Sequence, residues 1–223
     1  MAAGCGNTRP PVLRKFTLAR STSGIIQTSI EIKRWQRKLP SPDEVRPARC
    51  PRCGHASRCP GRGLGLHGHG VVLRDVWGPV EAGEVPRFHD VLLRRFRCVH
   101  CLTVLRVGPS GILPHRRYGG GAILAALALW TLYGEAPATI RATMSPWRRV
   151  SPETGPRWPS LMRWAAQADT LWPLRRPLSG ALSAREQAAA VVRALVTRLP
   201  TLTWGPIRIE QVFTAAHAAG GDM

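Results

Sequence analysis

Two short runs carry the residue types most able to do chemistry: CPRC, placing Cys50 and Cys53 three positions apart, and CVHC, doing the same for Cys98 and Cys101. A Cys-x-x-Cys knuckle lets two thiolates from one tight turn reach a single metal ion, and two knuckles complete a tetrahedral set. Gly54 directly after the first pair permits the backbone turn that aims main-chain amides at the sulfurs. A closed site of four thiolates suits Zn2+, which needs no redox chemistry, with iron as the alternative metal. Cys59, His55 and His100 lie near enough in sequence to replace one ligand. Four thiolates leave no position for a bound water, so the expected role is structural and not hydrolytic.

The halves are far apart, with residues 54–97 between them, longer than the spacing in common zinc signatures. An element must therefore fold the chain back. HGVVLRDVWG at 69–78 and PRFHDVLLRRFRC at 86–98 are rich in β-branched and aromatic residues, and GPVEAGEVP between them is turn material. LTVLRVG at 102–108 reads as a third strand after the second knuckle. Two knuckles joined by antiparallel strands describe a zinc ribbon.

Beyond residue 112 the pattern turns helical. The run 119–134, with Ile123, Leu124, Leu127, Leu129, Trp130 and Leu132, is apolar on nearly every side and reads as a core helix. It is shorter than the roughly 20 residues of a bilayer span and has Arg116 and Arg117 before it, so no membrane association is expected. Residues 136–144 form a short second helix, a Pro-rich interruption follows, and 157–172 forms a third with Leu161, Trp164, Ala165 and Ala168 inward. A short middle helix followed by one with Arg and Ser near its start is the arithmetic of a helix-turn-helix, although the turn is far longer than the usual three or four residues. LSAREQAAAVVRALVTRLP at 182–200 is an amphipathic helix opened by a Ser183/Glu186 capping box, and 205–220 is a last helix carrying a lone His217, read as exposed or satisfied.

The chain has 32 Lys and Arg against 13 Asp and Glu, a formal charge of +19 and a pI near 11.5. Such a surface attracts polyanions, with nucleic acid favoured over anionic membrane. Candidate DNA contacts are Arg116, Arg117 and Tyr118 before the first helix, Arg148 and Arg149 in the Pro-rich interruption, and Arg157, Ser160 and Arg163 at the start of the third helix. The opening residues have no apolar core of a secretory signal. Their Arg, Lys and Ser fit a flexible basic arm or an organelle presequence. The expected location is the cytoplasm, associated with the nucleoid, where thiols stay reduced and paired cysteines hold metal.

The expected fold class is α+β: a small antiparallel zinc ribbon, then a helix-turn-helix-like domain and C-terminal helices. The boundaries read as a basic, partly disordered arm at 1–39, the ribbon at 40–112, the helix-turn-helix-like unit at 113–175 and a helical segment at 176–223. The Gly- and Pro-rich stretches at 60–70 and 145–159, with the first 25 residues, read as loosely ordered.

CPRCG, a hairpin, RRFRCVHC and then ILPHRRY before a helical region together resemble a bacterial family of unknown function, itself similar to the N-terminal DNA-binding regions of insertion-sequence transposases. The resemblance covers roughly residues 40–170, most specifically Cys50, Cys53, Arg95 to Cys101 and the run ending at Tyr118. It implies a zinc ribbon and helix-turn-helix that grip double-stranded DNA at a mobile-element end, with Arg116 to Tyr118 as the hinge between them. Transposases of that sort also need three clustered carboxylates. After the helices only Asp169, Glu186, Glu210 and Asp222 remain, so a separate transposase or recombinase subunit is the expected partner. Two other readings stand beside this one. One is an enzyme, either a nuclease or recombinase using Asp75, Asp90 and Glu135 or a truncated transposase with residual nuclease function, and the other is a zinc-stabilised scaffold for RNA or protein.

Overall fold

The computed structural model describes residues 24–59, 61, 63–147, 158–174, 182–200 and 205–221. It is a mixed α+β fold, in chain order β1 (Ile25–Gln27), α1 (Ile32–Arg37), β2 (Arg58–Cys59), β3 (Gly63–Leu64), β4 (Leu66–Gly78), β5 (Arg87–Cys98), β6 (Val104–Gly108), α2 (Gly120–Thr131), α3 (Pro137–Met144), α4 (Pro159–Ala165), α5 (Ala168–Leu171), α6 (Ala184–Val196) and α7 (Ile209–Gly221).

The β-rich stretches at 69–78, 86–98 and 102–108 become β4, β5 and β6, three antiparallel neighbours in a sheet of order β1-β6-β5-β4. β4 and β5 form one long hairpin, paired from Gly78↔Arg87 beside the turn to Leu66↔Cys98 at the far end, with an irregularity between Gly68 and Val71. The Gly-rich stretch at 60–70 is therefore ordered where it is described, since it contains β3 and the start of β4. Backbone pairing to β2 and β5 supplies the order that its side chains do not.

Residues 25–39, read from sequence as the end of a basic arm, belong to the sheet unit instead. Ile25–Gln27 pairs in parallel with β6, which makes the sheet mixed and not purely antiparallel. Strand β6 stops short of Pro109, leaving β5 carbonyls without a strand partner. There Trp35 Nε1 donates to Leu92 O at 2.8 Å and Gln36 Nε2 to Asp90 O at 3.0 Å. Side chains of α1 thus satisfy an edge that backbone would otherwise cover. Ile32 and Trp35 are buried in the same core as Val91, Leu93, Phe96 and Val107. Elements of three and six residues are too short for periodicity to announce them.

The second core gathers around α2, whose residues Gly120 to Ala128 are all buried, as its all-round apolar pattern requires. Helices α3, α4, α6 and α7 pack on it. α6 carries the capping box read from Ser183 and Glu186. The third helix expected at 157–172 is broken: α4 ends at Ala165 and the chain resumes as the single turn α5. The two units are joined by direct contacts. Tyr118 packs edge-on against Trp77, Trp158 and Trp164, and His217 lies 3.3 Å from Ser110 Oγ through Nδ1 and 3.2 Å from Val80 O through Nε2. His217 is therefore a satisfied histidine that ties α7 to the sheet unit.

Helix α7 approaches α2 so closely that a Cβ at Gly121 would stand 2.5 Å from Phe213 Cδ1. Gly121→Val should destabilise the fold by about 1–3 kcal/mol through overpacking, read as a lower urea midpoint with an unchanged slope.

Candidate metal centre

The two knuckles have the same backbone. In the first, Gly54 N donates to Cys50 O at 2.8 Å and Cys50 N to His55 O at 2.8 Å; in the second, Leu102 N donates to Cys98 O and Cys98 N to Thr103 O, both at 3.0 Å. In both, the residue after the second cysteine has positive φ: 72° at Gly54 and 59° at Leu102. Glycine takes that conformation without penalty, whereas an L side chain crowds its own carbonyl. Leu102 is 61% exposed, so no core packing offsets the cost.

The long hairpin brings the knuckles together. Leu66 pairs with Cys98 at its open end. Gly65 accepts from Val99 N at 3.0 Å and donates to Ser57 O at 2.7 Å, stitching the second knuckle to the chain that leaves the first. A Cβ at Gly65 would lie 2.2 Å from Ala56 O, so only glycine permits this crossing. Arg52 Nη1 in the first knuckle donates to Thr103 Oγ1 beyond the second at 2.9 Å.

The four Sγ atoms lie within 4.8 Å of one another. Cys50 to Cys101 and Cys53 to Cys98 are each 3.7 Å apart. Four sulfurs at a zinc–sulfur bond length of about 2.3 Å form a tetrahedron with edges of roughly 3.8 Å, so the donor set fits a tetrahedral thiophilic ion. Cys50 and Cys98 are fully buried, Cys101 is half-buried and Cys53 faces solvent. Although Cys53 as a residue faces solvent, desolvation of its sulfur among the other three thiols pushes it up to about 12, and burial raises the Cys98 thiol. At Cys101 burial also raises it, but hydrogen bonds from the Thr103 hydroxyl and amide, together with those from Cys53 and Cys50, outweigh burial and bring it down to about 7. A bound cation would favour the thiolate form at all four sulfurs. With all four sulfurs engaged, such an ion has no open position for a substrate.

The alternatives weighed for the fourth ligand fall away. Cys59 is buried in β2 outside the sulfur set, and His55 and His100 stack on each other at 5.3 Å with ring planes 7° apart. Among the described residues this is the only group of three or more His, Cys, Asp or Glu side chains placed to share an ion. Asp75 and Asp90 do meet, directly opposite each other on β4 and β5, without a third carboxylate to join them.

The residues expected to touch DNA fare unequally. Arg148, Arg149 and Arg157 lie outside the described residues. Tyr118 is a correction: it is only 9% exposed, its hydroxyl donates to Ser145 Oγ at 2.9 Å, and its ring is walled in by three tryptophans, so it serves the core and offers no surface to a phosphate. Arg117 is exposed and stacked over the Trp77 ring at 4.8 Å. Arg116 bonds Gln167 through Nη2 and leaves Nε buried without a partner. Ser160 and Arg163 sit on α4, 3.4 Å apart, with Arg163 exposed. Helices α3 and α4 both rest on α2 but are separated by residues 145–158. The knuckle supports Arg52 and Thr103 were not anticipated. They sit two residues past a cysteine, a position whose value appears only when the knuckles face each other.

No helix is long and apolar enough to cross a membrane among the described residues. Comparison with protein-family models, curated proteins and solved structures finds no match to this chain.

Leu102→Gly should relieve the left-handed strain and stabilise the protein by about 1 kcal/mol, seen as a higher denaturation midpoint. Cys98→Ser should abolish stoichiometric metal binding while Cys59→Ala and His100→Ala retain it, measured by elemental analysis of the purified variants.

Proposed function

We propose that this protein binds double-stranded DNA, with a zinc ribbon held by Cys50, Cys53, Cys98 and Cys101 as a rigid platform and α2, α3 and α4 as a helix-turn-helix-like unit beside it. The reading rests chiefly on one observation: the closed sulfur set sits at the end of β5 and the start of β6, strands that carry several of the arginines behind the +19 charge. A structural ion there anchors a basic surface without supplying chemistry. Such a surface neutralises phosphates and releases counterions, the main sequence-independent source of affinity for DNA. Ser160 in the first turn of α4 and exposed Arg163 in its last turn are the side chains we assign to base edges.

Joined to the resemblance in the cysteine knuckles and the PHRRY run, this makes the chain a mobile-element protein of the nucleoid whose cutting and joining are performed by a separate transposase or recombinase subunit. A second reading, a metal-stabilised scaffold for another protein, draws on the solvent-facing apolar row Val71, Leu73, Phe88 and Leu92 on the β4–β5 hairpin.

Two measurements on one preparation test the proposal. Elemental analysis should give one zinc per chain. Gel-shift titrations from 50 to 200 mM salt should show duplex binding that weakens steeply with salt, prefers a subset of sequences and is lost on chelation. Metal-free protein that binds heparin and every duplex equally well would overturn it.

A further inference from the structure

Three arginines that the linear sequence does not single out are brought together by strand register. Arg95 on β5 stands directly opposite Arg106 on β6, and Arg74 on β4 stands opposite Val91 on β5, two alternations along β5 from Arg95. Directly paired residues share a face, so Arg74, Arg95 and Arg106 project from the same side of the sheet. Like charges placed directly opposite each other on neighbouring strands are destabilising. The fold does not relieve this cost: among the described residues none of the three forms an ion pair, whereas Asp43, Glu81 and Glu84 are all spent on other cations.

A fourth arginine closes the group at the edge of β4. Residues 117–119 run beside Trp77, with Trp77 N donating to Arg117 O at 2.8 Å and Gly119 N to Trp77 O at 3.1 Å, and Arg117 Cζ lies over the Trp77 ring, 4.8 Å from its centroid. Arg74 reaches the same edge, where its Nη2 donates to Arg116 O at 2.6 Å while its Nε is buried with no partner. Burial lowers the pKa of Arg74, and the charges of Arg106 and Arg117 lower it further against the pull of Asp75, so the three guanidinium groups feel one another. Uncompensated positive charge held by packing and by register is a surface prepared for anions.

We infer that Arg74, Arg95, Arg106 and Arg117 form the phosphate-gripping surface of this protein, and that the backbone of duplex DNA lies across the β4–β5–β6 face rather than along α4 alone. The inference rests on the DNA-binding reading and names the surface that performs it. Its extent favours a polymer over a free phosphate ion: the arginines span three strands, or two interstrand spacings of roughly 5 Å each. The arginines next to the second knuckle, Arg95 and Arg106, are also those whose placement depends most on the metal, since β5 ends and β6 begins there. In this arrangement Arg163 contributes sequence preference and the sheet contributes affinity.

The test compares metal-loaded full-length proteins: wild type, R95A/R106A, R95K/R106K, R117A and R163A, each checked for zinc content and thermal unfolding. Removing the opposed pair also removes like-charge repulsion, so the double alanine variant should remain folded. It should bind all duplexes at least tenfold more weakly at 100 mM salt, with a log K against log salt slope shallower by about 2, or roughly 0.9 per lost phosphate contact. R95K/R106K should recover most of that affinity, because a phosphate contact needs the charge more than the fork. R117A should lose affinity alike on all duplexes, and R163A should change the ranking of sequences more than the salt slope. Wild-type affinity and slope in R95A/R106A would overturn this inference and leave the DNA-binding reading intact. Failure of the wild-type protein to prefer duplex DNA over heparin would overturn both.

Discussion

Four sulfur atoms within 4.8 Å of one another are the tightest constraint in this molecule. Cys50 and Cys53 come from a loop and Cys98 and Cys101 from the far end of a long hairpin, so their convergence dictates the length and register of β4 and β5. A shift of one residue in that pairing would turn every side chain of one strand to the opposite face and carry the second knuckle away from the first. The pairing Leu66↔Cys98, the glycine crossing at Gly65 and the bond from Arg52 to Thr103 all hold that register at its open end. The turn end is held separately, by His89 Nε2 at 3.0 Å from Gly78 O and by Glu84, whose carboxylate accepts from Val80 N at 2.8 Å. A metal ion held by the four sulfurs would add a cross-link where the polypeptide alone has only hydrogen bonds between short loops.

Buried polar and aromatic contacts make the sheet and the helical bundle one object. Tyr118 stands at the centre, with its hydroxyl on Ser145 and its ring among Trp77, Trp158 and Trp164. The segment it ends, PHRRY, divides its labour. Tyr118 is committed to the core, the Arg116 carbonyl anchors Arg74, and Arg117 is left outside on an indole face. A run that reads as a uniform basic hinge is thus part core, part scaffold and part surface, according to which way each successive residue points beside the edge of β4.

Much of this architecture was legible in the chain. The knuckles were readable because metal ligation demands particular atoms at particular spacing. The hairpin and β6 followed from β-branched runs around a turn, α2 from apolar residues on all sides, and α6 from its capping box. β1 and α1 were not legible, because they are stabilised by partners far away in sequence: Gly108 and Val107 for the strand, Leu92 and Asp90 carbonyls for Trp35 and Gln36. The third helix was overextended because helical periodicity continues through Ala166 and Gln167 although the backbone breaks there.

The sequence by itself determined the donor set of the metal centre, the alternation of strands and helices, and the excess of positive charge, since these depend on residue type and local spacing. The tertiary structure alone decided which arginines stand together and which aromatic is buried. Arg74, Arg95 and Arg106 lie on three different strands, and their proximity arises from hydrogen-bond register between segments far apart in the chain, a long-range property that no window of neighbouring residues encodes.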